Sequence, residues 1–242
     1  MLKREVSEKL KLWRTQKNKK ALCIIGARQI GKTYLIRQCL QESNISYVEF
    51  NFIERPELIE LFSGARDTKE LLMRLSLVSD KSLEKGNTII FLDEVQEYKD
   101  IVTKIKFLVE DGSYRYIMSG SLLGVELRDL RSAPVGYLRI CDMYPLSFME
   151  FAQAVGIHQD TFDALKSSFQ KRQPVDEFVH KKMLDVFYLY LIVGGMPEAV
   201  DTYIRTNDLA EVAQIHEKIS RLYKTDFSKY EEKYKLKLRE IY

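Results

Sequence analysis

The sequence predicts an α/β chain: a mainly parallel sheet covered by helices on both faces, followed by a helical C-terminal portion. Short apolar bursts rich in β-branched and aromatic residues recur through the first half of the chain. Segments of helical periodicity alternate with them, and after about residue 145 the strand pattern gives way to helical spacing alone.

Leu2, Val6, Leu10 and Trp13 fall at three- and four-residue steps, which makes residues 2–14 an amphipathic helix with its basic side chains outward. Ala21–Ile25 is a core strand that ends at a Gly-rich turn, and Lys32–Leu40 resumes helical spacing, giving strand, loop, helix. Ser46–Phe52, Thr88–Leu92 and Tyr114–Met118 supply further strands. Helical periodicity then runs over Phe148–Val155, Thr161–Phe169, Glu177–Ile192 and Leu209–Tyr230. Gly194-Gly195-Met196-Pro197-Glu198 ends one of these helices and starts another, with Pro197 at a favoured first-turn position. The expected division is a core over residues 1–145 and a helical lid over 146–242. The charged segment Tyr230–Tyr242 is still helical in pattern where the sequence stops, without a Gly or Pro terminator, and reads as a truncated end.

Composition narrows the function classes. With 242 residues, 45% of them hydrophobic, the chain can bury a substantial core. Lys and Arg total 38 against 35 Asp and Glu, so no global field selects nucleic acid or an anionic membrane. The basic residues among the first 20, Lys3, Arg4, Lys9, Lys11, Arg14, Lys17, Lys19 and Lys20, read as a solvated helix face, with phosphate contact as the alternative. Cys23, Cys39 and Cys141 have neither zinc-knuckle nor disulfide-framework spacing, which fits a reducing cytoplasm. His158, His180 and His216 show no ligand or triad spacing. No signal peptide is visible, and the longest apolar run, Val186–Met196, is too short to span a bilayer, so a soluble protein is expected.

The chemistry concentrates in two motifs. Gly26-Ala27-Arg28-Gln29-Ile30-Gly31-Lys32-Thr33 satisfies Gly-x-x-x-x-Gly-Lys-[Ser/Thr] between a buried strand and a helix, with Tyr34 next in the helix. Backbone N–H groups of such a loop curl around a β-phosphate, and the helix N-terminus adds partial positive charge. Lys32 would reach the β- and γ-phosphates, and Thr33 would offer its hydroxyl to Mg²⁺. Thr88–Leu92 is followed by Asp93 and Glu94, a Walker B pattern. Asp93 would hold magnesium and Glu94 would orient the water that attacks the γ-phosphate. A Glu beside the magnesium Asp suits ATP hydrolysis, and the Asn-Lys-x-Asp guanine signature is absent, which disfavours GTP. Ser119, after the next strand, is placed to touch the γ-phosphate or the water, although Ser-Gly is also ordinary turn chemistry. Arg128, Arg131 and Arg139 follow, and the sequence does not choose among them for a phosphate-stabilising arginine.

Taken together, Ile24–Thr33, Phe91–Gln96, Ile117–Leu122, Tyr144–Phe151, Gly194–Ala199 and Tyr223–Asp226 resemble the prokaryotic AAA-type ATPases that usually carry a C-terminal domain of unknown function. The resemblance implies an AAA+-like P-loop NTPase core with a five-stranded parallel sheet in the order 5-1-4-3-2, an all-helical lid, and a C-terminal domain absent here. Gly195-Met196-Pro197 is similar to the Gly-x-Pro signature of STAND-type ATPases, which implies a place for Pro197 near the adenine. One departure is visible: Gly136 is followed by Tyr137, where many members have Gly-Arg.

The leading expectation is a switch that binds Mg-ATP, hydrolyses it weakly in isolation, and acts through a C-terminal domain, a partner protein or a homo-oligomer. The alternatives are a nucleotide-binding scaffold for protein or DNA with negligible hydrolysis, and a P-loop small-molecule kinase.

Overall fold

A computed structural model of the chain describes residues 2–16, 20–98, 100–121 and 136–230. Two compact units emerge, one of residues 4–144 and the other of the described residues from 145 onward with Leu2 and Lys3.

The first unit is built on a five-stranded sheet. Strands β1 (Ala21–Ile25) and β3 (Ile89–Asp93) are buried at every position, as strands covered on both faces must be. With β2 (Tyr47–Asn51), β4 (Arg115–Gly120) and β5 (Leu138–Asp142) they form the order β2-β3-β4-β1-β5, every neighbouring pair parallel. Counted from the other edge this is 5-1-4-3-2, the order that the family resemblance implies. The residues of β5 were not located from the sequence. Leu138-Arg-Ile-Cys-Asp has no continuous apolar run, and at the sheet edge it leaves Ile140 47% exposed.

Helices α1 (Glu5–Thr15), α2 (Lys32–Glu42), α3 (Glu57–Ser63), α4 (Thr68–Val78) and α5 (Ile101–Asp111) complete this unit. Val6, Leu10 and Trp13 are the buried residues of α1, as their spacing predicts. Its C-terminal end is held by Arg115, whose guanidinium lies 4.0 Å from the centre of the Trp13 ring and donates to the Trp13 and Arg14 carbonyls. Phe52, Phe62 and Tyr98 pack with ring centres 5.3–6.0 Å apart within the main core cluster.

The second unit is helical: α6 (Phe148–Ala154), α7 (Gln159–Lys171), α8 (Glu177–Val193), α9 (Pro197–Thr206) and α10 (Leu209–Tyr230). Helix α6 opens with a capping box, the Ser147 hydroxyl accepting from Glu150 N–H while the Glu150 carboxylate accepts from Ser147 N–H. The turn between α8 and α9 explains its paired glycines. Gly194 has a φ of 71°, and a Cβ on Gly195 would lie 2.3 Å from the Leu146 carbonyl oxygen. Leu146 N–H donates to the Gly195 carbonyl at 2.6 Å, so the approach is part of the turn. Among the described residues, no helix is long and apolar enough to cross a membrane.

Candidate functional site

The C-terminal ends of β1, β2, β3 and β4 bring the motif residues of the first unit together. Gly26 follows β1 directly, and a Cβ there would lie 2.1 Å from the Met143 carbonyl oxygen and 2.6 Å from Ile30 Cδ1. The first glycine of the loop is thus fixed by backbone packing. Gln29 and Gly31 take φ values of 62° and 85°, turning the chain into α2. Helix α2 starts at Gly31 with no side-chain cap and no acid in its first turn. Helices α4, α6 and α8 are capped by Asp67, Ser147 and Asp176, whereas α1, α3, α5, α7 and α9 lack a side-chain cap as α2 does. An uncapped N-terminus presents N–H groups and partial positive charge, the arrangement that suits an external anion.

Lys32 is buried, and its ammonium donates to the Gly26 and Ala27 carbonyls at 3.1 and 2.7 Å. Burial lowers its pKa, and the charges of Glu94 and Asp93 partly offset that. Asp93, at the end of β3, is only 1% exposed. Its Oδ2 accepts from the Thr33 hydroxyl at 2.9 Å and from the Asn51 amide at 3.2 Å, and its Oδ1 accepts from the Ser119 hydroxyl. Burial pushes this carboxyl above its ordinary range, the Ser119 and Thr33 donors pull it down, and the charges of Glu94 and Glu49 raise it again.

Glu94 sits at φ 55° and ψ 42°, a left-handed conformation that costs a non-glycine residue on the order of 1 kcal/mol. Its carboxylate accepts from the Gln96 side-chain amide N–H at 2.6 Å, and Gln96 Oε1 accepts from Ser121 N–H at 3.2 Å. The acid after β3 is thereby tied to the chain leaving β4. Thr33 and Asp93 are hard oxygen donors of the kind Mg²⁺ prefers. Among the described residues, no group of three or more His, Cys, Asp or Glu side chains could cage a metal. An ion here would share its coordination with phosphate oxygens and water, as Mg²⁺ does.

A family model described as an AAA domain matches residues 18–152, more than half of the chain. The chain belongs to the AAA-domain family. A second model, for a domain of unknown function, matches residues 184–242. No curated protein matches the sequence. Among solved structures, this AAA-domain protein is similar to a Walker-type ATPase of Pyrococcus abyssi. That match has 14% identity and a TM-score of 0.55, and covers 95% of this chain and 75% of that one. It also matches an Hsp104–ADP complex of S. cerevisiae at 16% identity and a TM-score of 0.45, covering 95% of this chain and 34% of that one. The first likeness shows the fold, that of a P-loop NTPase.

Of the residues singled out from the sequence, Lys32, Thr33, Asp93, Glu94 and Ser119 converge in this AAA domain. Ala27, Arg28, Gln29 and Ile30 form the loop, with Ile30 fully buried and Arg28 Nε 3.5 Å from Ser121 Oγ. The Ser119 hydroxyl is directed at Asp93. Tyr34 is 68% exposed on the first turn of α2. Arg139, on β5, donates to Gln16 Oε1 at 2.9 Å. Arg128 and Arg131 lie outside the described residues. Pro197 belongs to the second unit, where it opens α9.

Asn51 and Gln96 were not anticipated. Asn51 ends β2, a strand that also carries Glu49, and the parallel register pairs it with Asp93. Gln96 follows Glu94 by two positions, and only the one-turn 3₁₀ helix Val95–Glu97 folds it back onto that carboxylate. Arg4, read as part of a solvated face, is buried and donates to the Ile30 and Tyr144 carbonyls.

Proposed function

We propose that the AAA domain binds Mg-ATP at the Gly26–Thr33 loop and hydrolyses it with Glu94 as the water-orienting acid. One observation carries the reading. The Thr33 hydroxyl and the Asp93 carboxylate meet at 2.9 Å, which joins the loop that would cradle phosphate to the strand end that would hold a metal. Lys32 would exchange its two loop carbonyls for phosphate oxygens, and the charges of Glu94 and Asp93 partly offset the lowering of its pKa by burial. Asn51 and Ser119 orient Asp93 so that one carboxylate face is fixed. Bound magnesium would supply charge neutralisation of the phosphates.

In this reading residues 1–145 are the ATPase core and 146–242 a helical lid. Nucleotide state would set a switch read by a partner protein or a further domain in the cytoplasm. The test is a pair of variants. Lys32→Ala should abolish nucleotide binding, and Glu94→Gln should bind normally and release no phosphate; turnover by Glu94→Gln at the wild-type rate would remove Glu94 from its role.

A further inference from the structure

Arg4 stands immediately before α1 and is 9% exposed. A buried guanidinium is costly unless its N–H groups are used. Here Nη1 donates to the Ile30 carbonyl at 3.1 Å, and Nη2 donates to the Tyr144 carbonyl. Ile30 is the residue before Gly31 in the phosphate-loop candidate. Its side chain is fully buried, with Cδ1 beneath Gly26, and its carbonyl is the group that Arg4 holds. The same loop is tied to the segment after β5 on its other side. Met143 N–H donates to the Ile25 carbonyl at 2.8 Å, and the Met143 carbonyl oxygen is pressed against Gly26.

We propose that Arg4 is a positioning residue for nucleotide binding, one that sets the Ile30–Gly31 peptide plane from behind the loop. This rests on the reading of Gly26–Thr33 as the phosphate cradle. A trans peptide carries its N–H opposite to its C=O, and all described peptides here are trans. With the Ile30 carbonyl fixed on Arg4, the N–H of Gly31 points away from Arg4, to the side on which the loop receives the β-phosphate. Without the guanidinium, the peptide plane can rotate through the glycine, which tolerates either orientation. The loop would then spend binding energy on ordering itself. The Tyr144 contact anchors the clamp to the end of the core, so Arg4 does not move with the loop.

Arg115 provides an internal control. It also donates to backbone carbonyls from a half-buried site, but those carbonyls belong to Trp13 and Arg14 at the opposite end of α1. Arg4→Met, Arg4→Lys and Arg115→Met are compared with wild type for MgADP affinity by calorimetry, at a temperature well below every unfolding midpoint. Amide exchange of residues 26–33 is followed in the same samples without nucleotide. Arg4→Met should weaken MgADP binding by about tenfold or more, the loss of a charge-assisted hydrogen bond. It should also speed exchange across the loop, whereas Arg115→Met leaves both within about twofold despite a similar loss of stability. Arg4→Lys, which keeps the charge but lacks the rigid planar fork of the guanidinium, should fall between, and it carries the test if Arg4→Met does not fold. Equal affinity and equal loop exchange in the Arg4 and Arg115 variants would overturn the inference and leave the proposed function standing. Failure of wild type to bind MgADP would overturn the proposed function, and this inference with it.

Discussion

The hydroxyl of Thr33, on the first turn of α2, donates to Asp93 Oδ2 at the end of β3 across a 2.9 Å hydrogen bond, joining residues sixty positions apart. Thr33→Val keeps the shape and removes the donor from a carboxylate that is almost fully buried. Loss of one such bond should cost about 1–3 kcal/mol of stability, read from chemical denaturation. The functional consequence is separable from the structural one. In wild type the nucleotide should bind more tightly with magnesium than with EDTA, and in Thr33→Val that ratio should fall towards one. Lys32→Ala should lose binding under both conditions. An unchanged magnesium dependence in Thr33→Val would remove Thr33 from the metal site.

Glu94 combines a proposed catalytic carboxylate with a left-handed backbone. Glu94→Gly should relieve the backbone strain and raise stability by roughly 0.5–1 kcal/mol, while abolishing phosphate release. A site residue whose removal stabilises the fold is the signature of strain kept for function. Denaturation midpoints of Glu94→Gly and Glu94→Gln, taken together, decide it, because only glycine changes the backbone preference.

Gly26 offers a prediction that does not depend on nucleotide. The Cβ of Gly26→Ala would meet a backbone oxygen at 2.1 Å, which no rotamer change can relieve. The apo protein should lose about 2–4 kcal/mol or fail to fold. An apo unfolding midpoint equal to wild type would show that the segment at Met143 can give way.

Burial raises the Cys23 thiol from its ordinary 9.0 to about 12. The folded state therefore favours the protonated thiol. Its contribution to stability is complete below pH 9 and is lost as pH rises from 9 towards 12. Cys23→Ala should flatten the fall in urea midpoint over that alkaline window, with little change in slope between pH 7 and 8. Native Cys23 should also resist alkylation at pH 8 until the protein unfolds.

How much of this was legible follows from where each interaction originates. The loop from Gly26 to Thr33 and the pair Asp93–Glu94 are local patterns, because phosphate binding needs glycines, a lysine and a hydroxyl at fixed spacing, and a strand end needs its acids in sequence. The apolar runs of β1 and β3 are local too, since strands buried on both faces leave no room for polar residues. The sheet order came from likeness to a family. Strand β5 was missed, because an edge strand with one exposed face carries no continuous apolar signal.

Local pattern alone thus specifies the α/β class, the helical second half and the residues that carry the candidate chemistry. What those residues touch depends on the tertiary fold. Asn51 reaches Asp93 because parallel register sets their strand ends side by side. Arg4 leaves the apparent basic face because α1 carries it to carbonyls 26 and 140 positions away. Such partners are chosen by chain crossings and burial rather than by neighbours in sequence, and a buried guanidinium or carboxylate must take whichever backbone or side-chain groups the fold delivers.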